Sequence, residues 1–151
     1  MEHPEPQIDA RLTLEPIPPS LPSPPPGPGC GVVLEFRRVV PAALDGAPVS
    51  AVRYDVYESM ALAKLSEIAT TLARTHAAIG VTLIHRHGLV PAGDTVVYLA
   101  VRAPHRSAAV GCLNDIVEVM KRDVPIWRMG VVPRVMPPPP IGDADGFPRQ
   151  A

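Results

Sequence analysis

VTLIHRHGLVPAGDTVVYLAVRAPHRSAAVGCLNDIVEVMKR, residues 81–122, decides the fold class. Val81–His85 and Thr95–Arg102 are short runs dominated by branched and aliphatic side chains, which fit a pleated surface and favour strands. Between them Gly88, Pro91, Gly93 and Asp94 interrupt regular structure. The period then changes: Val110, Leu113, Ile116, Val117 and Met120 fall on one helical stripe within Ser107–Arg122. Asp123, Val124 and Pro125 end that helix, because proline forces the residue before it into an extended conformation.

Working outward, Gly31–Val40 is rich in β-branched residues, and Val49–Val56 alternates as a half-buried strand does. Asp45-Gly46 supplies a turn between them, which predicts a hairpin joining these two strands. Met60–His76 carries Leu65, Ile68, Ala69 and Leu72 at helical spacing, with Ser59 available as N-cap. Ala10–Ile17 suits a short opening strand that Pro16, Pro18 and Pro19 terminate. The order strand, strand, helix, strand, strand, helix lacks regular βαβ alternation. It therefore predicts an α+β domain, an antiparallel or mixed sheet with helices packed on it. Neither a GxGxxG fingerprint nor a P-loop occurs, which removes support for a nucleotide-binding fold.

Length and composition are consistent with this. A chain of 151 residues suits one domain that needs no disulfide or metal to hold it together. Its 21 prolines are concentrated between Pro4 and Pro28 and between Pro133 and Pro148. The expected organisation is thus a Pro-rich N-terminal arm over 1–30, a folded domain over 31–132 and a Pro-rich tail over 133–151. Pro18–Pro28 favours polyproline II, as a spacer or as a docking ligand for small aromatic-lined domains. A net charge of −1 argues against a nucleic-acid or membrane partner held by a general electropositive field. Cys30 and Cys112 form no CxxC pair, and the acidic start carries no basic-then-apolar leader. Both point to the cytoplasm.

The basic residues are almost all arginine; the lysines are Lys64 and Lys121. Lys64 falls on the helix side away from the apolar stripe, as a solvated charge would. Lys121 ends the second helix just before Pro125-Ile126-Trp127. An amine there serves either as a proton-transferring group, if partly desolvated, or simply as a cation favoured by the helix dipole. Pro104-His105-Arg106 stands at the entry to the same helix, where free N–H groups attract anions and Arg106 can fork onto a phosphate; a solvent-facing helix entry is the plainer alternative. His85 and His87, expected on one strand face, imitate a metal site with His105, but no Cys or carboxylate joins them at ligand spacing, so no metal is expected. No GxSxG elbow or paired base marks a Ser or Cys nucleophile.

Several strings occur in a telling order: Tyr54-Asp55-Val56-Tyr57 with Met60-Ala61, Ile84-His85-Arg86-His87-Gly88, Gly93-Asp94, Pro104-His105-Arg106, then Lys121 with Pro125-Ile126-Trp127. Together, over roughly residues 31–128, they resemble the large, catalytic subunit of molybdopterin synthase. The resemblance implies an α/β-hammerhead type of fold and a sulfurtransferase of molybdenum cofactor biosynthesis. It implies that a small sulfur-carrier subunit, of ubiquitin-like fold and ending in Gly-Gly, inserts a thiocarboxylate into a pocket of this subunit. Sulfur then passes to cyclic pyranopterin monophosphate, two transfers completing the dithiolene. No cofactor is implied; the partners are the carrier and a second copy, as a homodimer within a heterotetramer. By position, Lys121 matches the family's catalytic lysine, and His105 and Arg106 match residues of the substrate-phosphate pocket. Arg128 stands where the family usually has a second lysine, suited to a phosphate or the carrier's carboxylate. Val40-Pro41 replaces the family's Arg-Asn pair, which either removes that anion contact or shifts it to Arg37 or Arg38. A tail contact is left to Arg134 or Arg149. A second reading keeps fold and carrier groove without catalysis.

Overall fold

A computed structural model describes residues 4–21 and 25–135. In chain order the elements are β1 (Gln7–Thr13), β2 (Val32–Val39), β3 (Ala43–Leu44), β4 (Ala47–Val56), α1 (Glu58–Thr75), β5 (Gly80–Arg86), β6 (Gly88–Pro91), β7 (Thr95–Ala103), α2 (Arg106–Asp123) and β8 (Ile126–Pro133). One sheet runs β1-β5-β7-β2, with β1 parallel to β5 and the other neighbours antiparallel. A second joins β3, β4 and β6, with β8 also on β4. The result is the mixed sheet with packed helices that the order of elements predicts.

Both helices lie on one face of the first sheet. Leu65, Ile68 and Ala69 of α1 and Ala109, Cys112, Ile116 and Met120 of α2 are buried against Val81 and Leu83 of β5 and Val97, Leu99 and Val101 of β7. Every residue of β7 is buried, because it is central in the sheet and covered on both faces. Small residues set the spacing: a Cβ at Gly111 would meet the His76 ring at 2.9 Å. That ring closes the helix pair through Nε2, 2.7 Å from Asp115 Oδ2. Complete burial of a leucine such as Leu65 or Leu99 is worth about 1.5–3 kcal/mol, so this layer supplies much of the stability.

The opposite face of the sheet is covered by the chain leaving β1. Ile17 is buried with Ile84, Tyr98 and Ala100, and Leu21 packs against them. The opening strand lies earlier than the predicted Ala10–Ile17: it is Gln7–Thr13, paired along its length with β5. It stops short of Pro16, which has no N–H to give a ladder.

The predicted hairpin between Gly31–Val40 and Val49–Val56 does not form. β2 pairs with β7, whereas β4 pairs with β3, β6 and β8. Asp45 and Gly46 do make a tight turn, with φ of 50° and 79°, but it joins Leu44 to Ala47 in a hairpin two residues deep. The reason lies at Val40-Pro41. Val40 is buried and exchanges backbone hydrogen bonds with Gly93 and Asp94, so the chain leaves the first sheet there. β6 and β8 were not expected from the sequence; both are partners of β4, and neither alternates strongly enough to announce a strand. The predicted tail lies outside the described residues from 136 onward, as does Arg149. Among the described residues no helix is long and apolar enough to cross a membrane.

Candidate active site

Lys121 reaches its position because the apolar stripe of α2 ends one residue earlier. Met120 is buried against the sheet, and Lys121 emerges at the rim in the last turn. The Val124 N–H bonds back to Met120 O at 3.3 Å; Pro125 then holds the chain extended and feeds β8. β8 runs antiparallel to β4 and sets Arg128 opposite Tyr54. From the first sheet, Arg38 of β2 and His85 of β5 stand on either side of Val97, so they share the helix-covered face. A cavity of about 330 Å³ lies where these pieces meet, lined by Arg38, Lys121 and Arg128, by Tyr54 and His85, and by Met120, Val124 and Ile126.

Three cations and no carboxylate line this space. Among the described residues none of the three is ion-paired, and all are solvent-exposed at the cavity's mouth. A cluster of unneutralised cations over an apolar floor attracts anions and strengthens as water is displaced. His85 is different in kind. Burial pushes its pKa down to about 4; a hydrogen bond from Nδ1–H to the Arg86 carbonyl, 2.8 Å, opposes the shift, and the charges of Arg38 and His87 add to it. The imidazole is therefore neutral at neutral pH. With Nδ1 carrying the proton, Nε2 is left as an acceptor. The Tyr54 ring stands edge-on to it, centroids 6.1 Å apart at 71°.

The structure thus gathers three of the five residues singled out in the sequence. Arg38 is in the cavity, whereas Arg37 points to the other face of the sheet, its guanidinium 4.8 Å above the Tyr98 ring. His105 and Arg106 are elsewhere. They are exposed at the N-terminus of α2, fifteen residues before Lys121, and a helical rise of about 1.5 Å per residue puts about 22 Å between the ends. His85 and His87 do not share a strand face either. β5 ends at Arg86, Gly88 adopts φ 83°, and His87 turns to another cavity with its Nε2 3.8 Å from Glu58. Lys64 pairs with Glu67 at 3.6 Å on the surface. Tyr54 and His85 also line the cavity; the sequence places them only in motif strings, and His85 besides only as an imitation metal ligand. The one available signal was parity: a histidine inside an apolar strand sits among core residues, where it is neutral unless paired.

The MoaE protein family model matches residues 20–123. A molybdopterin synthase catalytic subunit from Pyricularia oryzae is 31% identical over 101 residues, which is 67% of this chain and 56% of that protein. One from Drosophila virilis is 34% identical over 103 residues, 68% of this chain and 30% of the relative. The chain therefore spans between about a third and just over half the length of these two relatives. The crystal structure of molybdopterin synthase from Staphylococcus aureus superposes with a TM-score of 0.72 at 25% identity, over 83% of this chain and 91% of that one.

Proposed function

Because this chain belongs to the MoaE protein family, we propose that it is the catalytic subunit of a molybdopterin synthase, moving sulfur from a carrier's thiocarboxylate to cyclic pyranopterin monophosphate. The observation that carries this reading is the cavity where Arg38, Lys121 and Arg128 converge without a carboxylate. Both reactants are anionic at the groups that matter, a thiocarboxylate on the carrier and a phosphate on the pterin. Arg38 and Arg128 bind and orient them, because a guanidinium forks onto two oxygens at once. Lys121, on the rim of the same space, stabilises the oxyanion that develops at the carrier's acyl carbon and moves protons as sulfur is exchanged. Neutral His85 keeps a hydrogen-bond acceptor beside the cations without adding a fourth charge. Two free thiols, one of them buried, suit a reducing cytoplasm.

His105 and Arg106 enter through a second copy. About 22 Å separates them from Lys121 along α2, so groups that touch one substrate come from two chains of a homodimer, each also holding a carrier. This makes a specific prediction. Lys121→Ala and Arg106→Ala chains, each inactive alone, regain activity when unfolded and refolded together, because a mixed dimer contains one intact site. Random pairing sets the ceiling at about a quarter of wild-type turnover per chain. Failure of the mixture to exceed the separate variants sinks the shared site and leaves the Lys121 cavity standing.

The direct test of the function is reconstitution. The chain is mixed with a thiocarboxylated small subunit and cyclic pyranopterin monophosphate, and dithiolene product is measured. Absence of product from folded protein overturns the proposal; absence of product with the carrier still bound favours a scaffold that keeps the groove without the chemistry.

A further inference from the structure

A further cavity lies at the end of the first sheet where β1 and β5 begin and β7 ends, opposite the strand ends that carry Arg38 and His85. It measures about 710 Å³ and is bounded by residues of 4–7 and 25–29, the turn after α1 and Arg102 of β7. Its walls are mainly apolar, from Pro25, Pro28, Ile79 and Pro104 among others. The polar side chains of the lining are Glu5, Gln7 and Arg102, and of these Arg102 is 6% exposed. Its guanidinium donates from Nη1 to the Pro25 carbonyl and from Nη2 to Gln7 Oε1, each at 3.2 Å. Both acceptors are neutral. Among the described residues no carboxylate pairs with it, and Glu5, on the same wall, is held by Arg74 at 2.6 Å.

The surroundings are shaped to this side chain. Gly80 faces Arg102 across the β5–β7 ladder, and a Cβ there would collide with Arg102 Nη2. A guanidinium keeps its charge, and a buried charge without a counter-ion is costly, so its neutral partners only part-satisfy it. A carboxylate arriving with an apolar body answers both features of the cavity at once.

We infer that this cavity binds a small monocarboxylic acid with an apolar body, its carboxylate on Arg102 and its hydrocarbon against the proline-lined wall. The occupant is a free acid of modest size, held by charge-assisted hydrogen bonds at one end and by apolar burial at the other. The site shares no lining residue with the cavity around Lys121.

The test is calorimetric titration of the full chain with sodium octanoate, beside octanamide and octylammonium, which share its hydrocarbon body. Octanoate binds one to one, octanamide at least about tenfold more weakly and octylammonium not at all. Arg102→Gln lowers octanoate affinity at least about tenfold. Gln7→Glu does the same while retaining the thermal transition, because it sets a carboxylate beside the guanidinium in place of the ligand's; this variant keeps the question answerable if Arg102→Gln does not fold. Lys121→Ala leaves octanoate binding unchanged. Equal binding of octanoate and octanamide, indifference to both Arg102→Gln and Gln7→Glu, loss of binding in Lys121→Ala, or no binding by the wild type overturns the inference. So does a peptide with a free C-terminus that binds more tightly than octanoate.

Discussion

Replacing Lys121 by alanine is expected to lower dithiolene formation by about 10²- to 10⁴-fold in the reconstituted reaction, the range for removing a group that transfers a proton or stabilises an oxyanion. Folding is expected to survive. Lys121 is exposed and holds no ion pair among the described residues, so alanine forfeits only its favourable place at the helix C-terminus, about 0.3–1 kcal/mol. Lys121→Arg separates the two roles. An arginine preserves the positive charge but does not give up its proton, so strong loss in Lys121→Arg assigns proton transfer, and near-normal turnover assigns charge alone. Full turnover in Lys121→Ala removes the residue from the chemistry. Arg128 supplies charge beside it and, being an arginine, is expected not to substitute for a missing amine; on the proposed function the lysine would carry that part of the work unaided.

Acidification is expected to destabilise the fold through His85, by a comparable factor in the folding equilibrium. Its pKa is about 4 in the folded chain against an ordinary 6.5, chiefly because the ring is buried. Above pH 6.5 both states hold a neutral imidazole and His85 contributes no pH dependence. As pH falls from 6.5 to 4 the unfolded chain takes up a proton that the folded one refuses, so stability falls. Below pH 4 both states are protonated and the loss is complete, about 3 kcal/mol for that separation of pKa values. The measurement is urea denaturation at closely spaced pH for the wild type and His85→Gln. The difference between the two curves should be flat above pH 6.5, change through the window and level off near 4. A difference that stays flat throughout contradicts a buried neutral imidazole. The same substitution leaves the Arg86 carbonyl without its ring donor unless the amide replaces it, so a constant offset between the curves is expected and does not enter the comparison.

The cavity around Lys121 depends on this same burial. A charged His85 would add a fourth positive charge beside Arg38; kept neutral, it leaves Arg38, Lys121 and Arg128 as the cations of a small shared space. The fold supplies each cation from a different element: the end of β2, the last turn of α2 and the start of β8. The elements themselves are set by apolar pattern and proline, and the cations fall at the points where those patterns stop.

The sequence by itself determined both helices, the longer strands of the first sheet and β4, and the family. Helical stripes over Leu65–Leu72 and Val110–Met120 report one buried side per helix, and the runs Val81–His85 and Thr95–Arg102 report two strands, because these periods follow from local backbone geometry. Lys121 stood out through the ordered motifs around it, Arg128 through its place after Trp127, and Arg38 only as an alternative to Arg37 where Val40-Pro41 departs from the family pattern. What only tertiary structure decided was adjacency. Asp45-Gly46 is a sound turn, yet which strands it joins depended on Val40 and Pro41 leaving the sheet, and β8 is a strand only because β4 offers it a free edge. Residues next to one another in a motif list can stand at opposite ends of a rigid helix, as Arg106 and Lys121 do. Arg38, His85 and Arg128, far apart in the chain, meet through strand register and helix packing, which are long-range choices that local sequence does not encode.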